Sequence, residues 1–147
     1  MKATQKSPTD VQVTPADLLR MAALYLRRHG WHQGTYYNPL FPTDFLTPPA
    51  CAAGAIGIAC AGHQVEHFSH LASDALADYL AALGAFVDYL DTTMPVFATD
   101  EDGFVIDENT SPYSWNDDPA RTAEQVITAL HAAADEWDSL HTPGGER

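Results

Sequence analysis

Basic residues are scarce in this chain. Seven Lys and Arg stand against 20 Asp and Glu in 147 residues, a formal net charge of −13. A field of that sign repels phosphate backbones, which disfavours direct nucleic-acid binding. Only two cysteines are present; that excludes a disulfide framework and fits a reducing cytoplasm. The Ala/Gly-rich apolar stretch from Pro48 to Ala61 is too short for a bilayer, which needs about 20 residues. Residues 1–10 are polar and lack an apolar h-region, so no secretory signal is expected. Internal repeats are absent. Together these absences point to a soluble, cytoplasmic protein with no membrane contact.

A chain of this length and 46% hydrophobic content forms one domain with its own core. The expected organisation is a flexible leader over residues 1–13, a helical domain over 14–140 and a flexible tail over 141–147. Charge is uneven along it. Residues 1–87 carry 6 acids against 5 bases; residues 88–147 carry 14 against 2. Such an acidic half either keeps the protein soluble or faces a basic partner surface.

Helix signals dominate. Thr14-Pro15-Ala16-Asp17 supplies a cap, a first-turn proline and an acid at the positive end of the dipole. Leu18, Met21, Ala22, Tyr25 and Leu26 follow at helical spacing, and Gly30 ends the run. Residues 31–47 have no clear period. A loop that long is often functional or packed by its own aromatics, here Trp31, Tyr36, Tyr37, Phe41 and Phe45. A second helix runs from Thr47-Pro48-Pro49 to about Ala61. Gly54 and Gly57 within it suggest that another helix backbone approaches closely. A third, capped by Ser69 or Ser73, carries the stripe Leu76, Leu80, Leu83, Val87 and Leu90. Val96–Thr99 and Phe104–Ile106 flank an acidic turn as a short hairpin. Asp118-Pro119 and Thr122-x-x-Gln125 compete as starts of the last helix, whose stripe is Val126, Leu130, Ala133 and Trp137. The fold class is therefore all-α: about four helices, a long aromatic loop and one short hairpin.

Three patterns carry chemistry. His63-Gln64-Val65-Glu66-His67 matches H-x-x-E-H, and His70 extends it. On a continuous helix, His63, Glu66, His67 and His70 would share a face and offer zinc ligands; the alternative is a solvated polar segment. Cys51 lies in the first turn of the second helix, where the dipole lowers a thiol pKa. Gln33, Cys51, a histidine among 63, 67 and 70, and Asn116 follow the order used by papain-like hydrolases. Against that, Cys51 also reads as a small core side chain, as does Cys60. Asp100-Glu101-Asp102-Gly103 suggests a Ca²⁺ loop, but Ala98 and Asn109 occupy key ligand positions, so it reads as an acidic turn.

Trp31-His32-Gln33-Gly34 and Trp115-Asn116-Asp117 are polar-aromatic clusters at helix boundaries. Each is either structural capping or part of a ligand site, with Arg121 positioned to pair with Asp117 or Asp118. Gly30-Trp31-His32-Gln33-Gly34, Cys51-Ala52-Ala53-Gly54-Ala55 and Trp115-Asn116-Asp117 with Arg121-Thr122 and Val126 resemble a family of small proteins from actinobacteria and their phages. Its pattern is G-W-x-Q-G, C-x-x-G-A and W-N-D followed by R-T-x-x-x-V, and its function is not established. The resemblance spans roughly residues 15–137 and is weakest over 62–110. It implies no activity. It nominates Trp31, Gln33, Gly34, Cys51, Gly54, Asn116, Asp117, Arg121 and Thr122 as one spatial cluster.

The expectation is a non-enzymatic binding or protein-interaction module with a basic partner and no cofactor, of phage or host regulatory type. A cysteine-dependent enzyme built on Cys51, a histidine and Asn116, and a zinc-binding protein built on the 63–70 cluster, are the alternatives.

Overall fold

The structure, a computed structural model, describes residues 12–42, 44–95, 98–107 and 110–141. The expected leader over 1–13 and tail over 141–147 fall almost wholly outside the described residues. Helix α1 (Pro15–His29) starts as its sequence announces. Asp17 N–H donates to Thr14 Oγ1 at 3.1 Å, and Thr14 N–H donates to Asp17 Oδ2 at 3.1 Å. Two orphan donors of the first turn are thereby satisfied reciprocally. The buried face is Ala16, Leu18, Leu19, Ala22, Ala23 and Leu26, each leucine contributing about 1.5–3 kcal/mol on full burial. Met21, expected on that stripe, is exposed.

Helix α2 (Ala52–Ala61) is apolar on all sides and buried from Ala52 through Gly57, as a helix without a polar face must be. It begins a few residues later than its prolines suggest, with Cys51 as N-cap, and ends on Gly62 at φ +84°. A single 3₁₀ turn over Phe68–His70 leads to α3 (Ser73–Thr93). The expected serine cap is absent: Ala72 precedes the helix and makes no side-chain bond. The expected stripe is also rotated. Tyr79, Ala82, Phe86 and Leu90 are buried, while Leu80 is 57% exposed. The period is right and the phase is wrong, because two aromatic rings claim the core. Phe86 meets Trp115 edge to face at 5.6 Å, and Tyr79 stacks on Phe68 at 4.1 Å.

Strands β1 (Ala98–Thr99) and β2 (Val105–Asp107) pair antiparallel, Ala98 with Asp107 and Thr99 with Val105. Val96, Phe97 and Asn109 lie outside the described residues. The acidic turn between the strands is self-satisfied: Asp100 Oδ1 accepts from Asp102 N–H and Phe104 N–H, both at 2.9 Å. A short helix, α4 (Pro112–Asn116), follows, and then α5 (Ala123–His141). The competition for the start of α5 is won by Thr122. Gln125 N–H donates to Thr122 Oγ1 at 3.2 Å, and Thr122 N–H donates to Gln125 Oε1 at 3.0 Å. Asp118 instead closes a turn through Ala120 N–H.

The layers follow from these faces. Helix α1 lies against α5 and α2, α3 packs on α5 and α2, and α4 rests on α2. Arg20 pairs with Asp135 and Asp138, and Arg27 with Glu124, so α1 and α5 run antiparallel. The fold is all-α, and among the described residues no helix is long and apolar enough to cross a membrane.

Candidate functional site

The loop after α1 folds back over the entrance to α2. Gly30 sits at φ +103°, a region that disfavours a side chain. The chain then clamps Ala50 from two sides. Ala50 N–H donates to Gly30 O at 3.1 Å, and His32 N–H donates to Ala50 O at 2.9 Å. From the other side Asn38 N–H donates to Pro49 O, and Cys51 N–H donates to Tyr36 O at 2.8 Å. Gly54 permits this return. A Cβ there would lie 2.5 Å from the Tyr36 carbonyl oxygen. The close approach expected at Gly54 and Gly57 therefore exists, but the partner is not a helix. It is the loop backbone at Gly54 and the Phe68 ring at Gly57.

Asn116, 1% exposed, ties the clamp to α4. Its Oδ1 accepts from Trp31 Nε1 at 2.8 Å and from Ala52 N–H at 3.0 Å. Its Nδ2 donates to His32 O at 3.1 Å and to Asp117 Oδ1 at 2.9 Å. The amide orientation is unambiguous, because the indole and the backbone N–H can only donate. Gln33 Nε2 adds bonds to the carbonyls of Asn116 at 3.0 Å and Asp118 at 2.9 Å. Gly34, at φ +99°, donates its N–H to Asp117 Oδ1 at 3.0 Å. Segments 30–34, 51–54 and 115–118 thus meet around one side chain.

The remaining nominated residues divide by role. Trp115 is fully buried and belongs to the core. Arg121 stacks on it, 4.0 Å from the ring centroid, and its Nε donates to Trp115 O at 2.9 Å. Its approach to Asp118 is longer, at 3.9 Å. Thr122 caps α5 and stands apart from the Asn116 network. The Thr35 hydroxyl donates to Tyr37 O at 2.7 Å, so His32 Nε2, 2.8 Å from that hydroxyl oxygen, is the donor to it. Partial burial lowers the His32 pKa, opposed by the nearby Asp117 charge.

Between these segments lies a cavity of about 300 Å³, lined by Gly34, Thr35, Tyr36, Cys51, Tyr113, Asn116 and Asp117. That volume is at the lower end of small-ligand sites. Tyr36 and Tyr113 meet edge to face at 5.9 Å. Behind them the buried Tyr79 hydroxyl interacts electrostatically with the Tyr113 and Tyr36 phenols and Cys51, yet no aligned hydrogen bond satisfies it. In the sequence Tyr36 reads only as loop packing, and no motif there singles out Thr35 or Tyr113 as a site residue. The signal for Tyr113 is Ser111-Pro112, the same cap-plus-proline signature that opens α1. Ser111 does cap α4, accepting from Ser114 N–H at 3.1 Å.

Cys51 departs from the nucleophile expectation. It is the N-cap of α2, and its Sγ accepts from Gly54 N–H at 3.3 Å. Burial pushes its thiol up to about 11, overriding the backbone donors that favour thiolate. Burial raises Cys60 to about 11 as well. Asn116 has both faces of its amide engaged, and no histidine lines the cavity.

The histidine cluster also departs from its expectation. Gly62 stops α2, residues 63–67 are irregular, and only 68–70 form a 3₁₀ turn. His63, Glu66, His67 and His70 therefore share no helix face. The His67 and His70 rings do meet, at 5.1 Å. Among the described residues no three His, Cys, Asp or Glu side chains gather as metal ligands.

No curated protein and no solved structure matches the chain. One family model does, over residues 10–136, and it takes in α1, the loop, α2, the Asn116 network and most of α5. On that match the chain belongs to the family of unknown function DUF6197.

Proposed function

We propose that this protein is a non-enzymatic interaction module that engages a basic surface of a protein partner. The observation that carries the reading is the distribution of its charges. Among the described residues, Arg20, Arg27 and Arg121 are each engaged with acids of the same chain. Asp74 and Asp88 on α3 and the Asp100–Asp102 turn enter no ion pair with the described residues. Of the four described arginines only Arg28 enters no ion pair, so acids outnumber cations on this surface, and such fields steer oppositely charged partners and repel nucleic acid. The raised Cys51 thiol and the fully engaged Asn116 amide weigh toward binding over catalysis. The setting is a reducing cytoplasm, where two free thiols are at home. A regulatory role in a phage or its host fits a small acidic module of this kind.

The test is affinity capture with the intact chain at low and high salt, beside a variant carrying Asp74→Lys and Asp88→Lys. The expected outcome is a discrete partner held at low salt, released near 1 M salt and not captured by the variant, since surface charge pairs are screened by salt. No partner at either salt would count against the reading, as would equal capture by the charge-reversed variant.

A further inference from the structure

We infer that the cavity between the 33–36 loop, Cys51 and α4 receives a basic side chain of the partner, its cationic head against the Asp117 carboxylate and its stem against the Tyr36 and Tyr113 rings. This inference rests on the interaction reading above and names the group that the partner inserts.

The carboxylate is preset. Asp117 Oδ1 accepts from Gly34 N–H and from Asn116 Nδ2, which fixes the rotamer. Among the described residues Oδ2 has no hydrogen-bond partner, and Asp117 lies at the cavity lining with exposed surface. Among the described residues, Arg121 is held by the Trp115 ring and carbonyl, and His32, which the Asp117 charge reaches, is kept toward its neutral form by burial. A charge of opposite sign must come from outside.

The remaining walls suit a basic side chain. Tyr36 and Tyr113 present aromatic surface to the same space. Aromatic faces accept a guanidinium or ammonium by cation–π attraction and pack its methylene stem. Arg and Lys share this chemistry, and a volume of about 300 Å³ admits either. The hydroxyl of the buried Tyr79 interacts with the Tyr113 and Tyr36 phenols from behind this wall.

Other occupants fit less well. An anion would need the free amides of the α2 N-terminus, but Ala52 N–H is bound to Asn116 and Gly54 N–H to Cys51. A metal ion would find one carboxylate and one protonated thiol in the lining, short of the usual ligand set.

The experiment is an amide-resolved NMR titration of the intact chain with N-acetyl-arginine methylamide, N-acetyl-lysine methylamide and the neutral N-acetyl-norleucine methylamide, each to about 50 mM. A ligand of that size is expected to bind with affinity on the order of millimolar. The expected result is saturable shifts at Gly34, Thr35 and Ala52 N–H and the Trp31 indole N–H with one or both cationic probes. Norleucine should bind at least tenfold more weakly. Asp117→Asn keeps the Oδ1 acceptor and the fold, and should weaken the cation at least tenfold. Tyr113→Ala, at a side chain with 41% of its surface exposed, should weaken it about fivefold. The arginine and lysine arms tell the two heads apart. Absence of saturable shifts overturns the inference, as does equal binding of norleucine or undiminished binding by Asp117→Asn. A flat titration beside successful salt-sensitive capture removes the cavity assignment and leaves the interaction reading standing; failure of both removes both.

Discussion

Truncating Asn116 should unfold more than a side-chain contact. In Asn116→Ala, Ala52 N–H loses its acceptor in a fully buried position. An unsatisfied buried donor costs about 1–3 kcal/mol. The Trp31 indole N–H loses its acceptor too, but Trp31 is only half-buried, so water recovers part of that bond and the cost is about 0.5–1 kcal/mol. The carbonyl of His32 and the Asp117 carboxylate lose a donor each, at sites nearer solvent. The predicted destabilisation is about 2–4 kcal/mol, a large share of the roughly 5–15 kcal/mol typical of a domain. Urea unfolding of both proteins at pH 7, read from midpoint and slope, measures it. Asn116→Asp is the matched arm. It keeps the acceptor for Trp31 and Ala52 and turns the donor into a second acceptor facing His32 O and Asp117 Oδ1. The introduced carboxyl is held protonated in the fold, so its folded pKa lies above its unfolded one. The variant should approach wild-type stability in acid and fall behind as pH rises through that folded pKa. A loss under about 1 kcal/mol for Asn116→Ala would show that the fold is held elsewhere and that the network adds little to its stability.

Two glycines give opposite expectations. Gly54→Ala drives a Cβ onto the Tyr36 carbonyl and should cost about 1–3 kcal/mol through displaced backbone, whereas Gly84→Ala in α3 meets open space and should gain about 0.5–1 kcal/mol in helix propensity; paired thermal melts check both. With its thiol raised to about 11, Cys51 should label with a thiol-reactive disulfide at pH 7.5 at least about 100-fold more slowly than a free thiol, and labelling at the free rate would contradict its burial. His32 is held below its ordinary pKa by desolvation, so its contribution is complete above about 6.5 and is lost as pH falls below that value. The stability difference between pH 7.5 and 5.5 should shrink in His32→Gln, and an unchanged difference would remove His32 from the account.

Helix ends were written plainly in the chain. Thr14-Pro15 with Asp17, Gly30, Gly62 and Thr122 with Gln125 all act locally, through one turn of backbone, so their chemistry is readable without the fold. The meeting of residues 30–34, 51–54 and 115–118 was legible through the shared pattern of those segments, though not its geometry. The phase of α3 was not legible. Leucines and aromatics both fit a helical stripe, and only the position of Trp115 and Phe68 decides that Tyr79 and Phe86 go inside. The glycines of α2 announced a close approach without saying that a loop carbonyl makes it. The histidine run looked like a ligand set because its spacing is helical, but Gly62 terminates α2 just before it. Tyr113 was hidden because a five-residue helix leaves almost no periodic signal.

The decisive experiment is capture of the same partner by wild type, Asp117→Asn and Tyr113→Ala, with the unfolding midpoint of each recorded alongside. Both side chains carry exposed surface at the cavity mouth, and Asn at 117 retains the acceptor that Gly34 N–H and Asn116 Nδ2 require. Asp117→Asn should stay within about 1 kcal/mol of wild-type stability, Tyr113→Ala should lose about 1–3 kcal/mol with its packing on Tyr36 and remain folded, and both should lose most of the captured partner. Undiminished capture by both folded variants would contradict the cavity assignment, and would leave the 31–36, 51 and 113–118 segments as the scaffold of the fold.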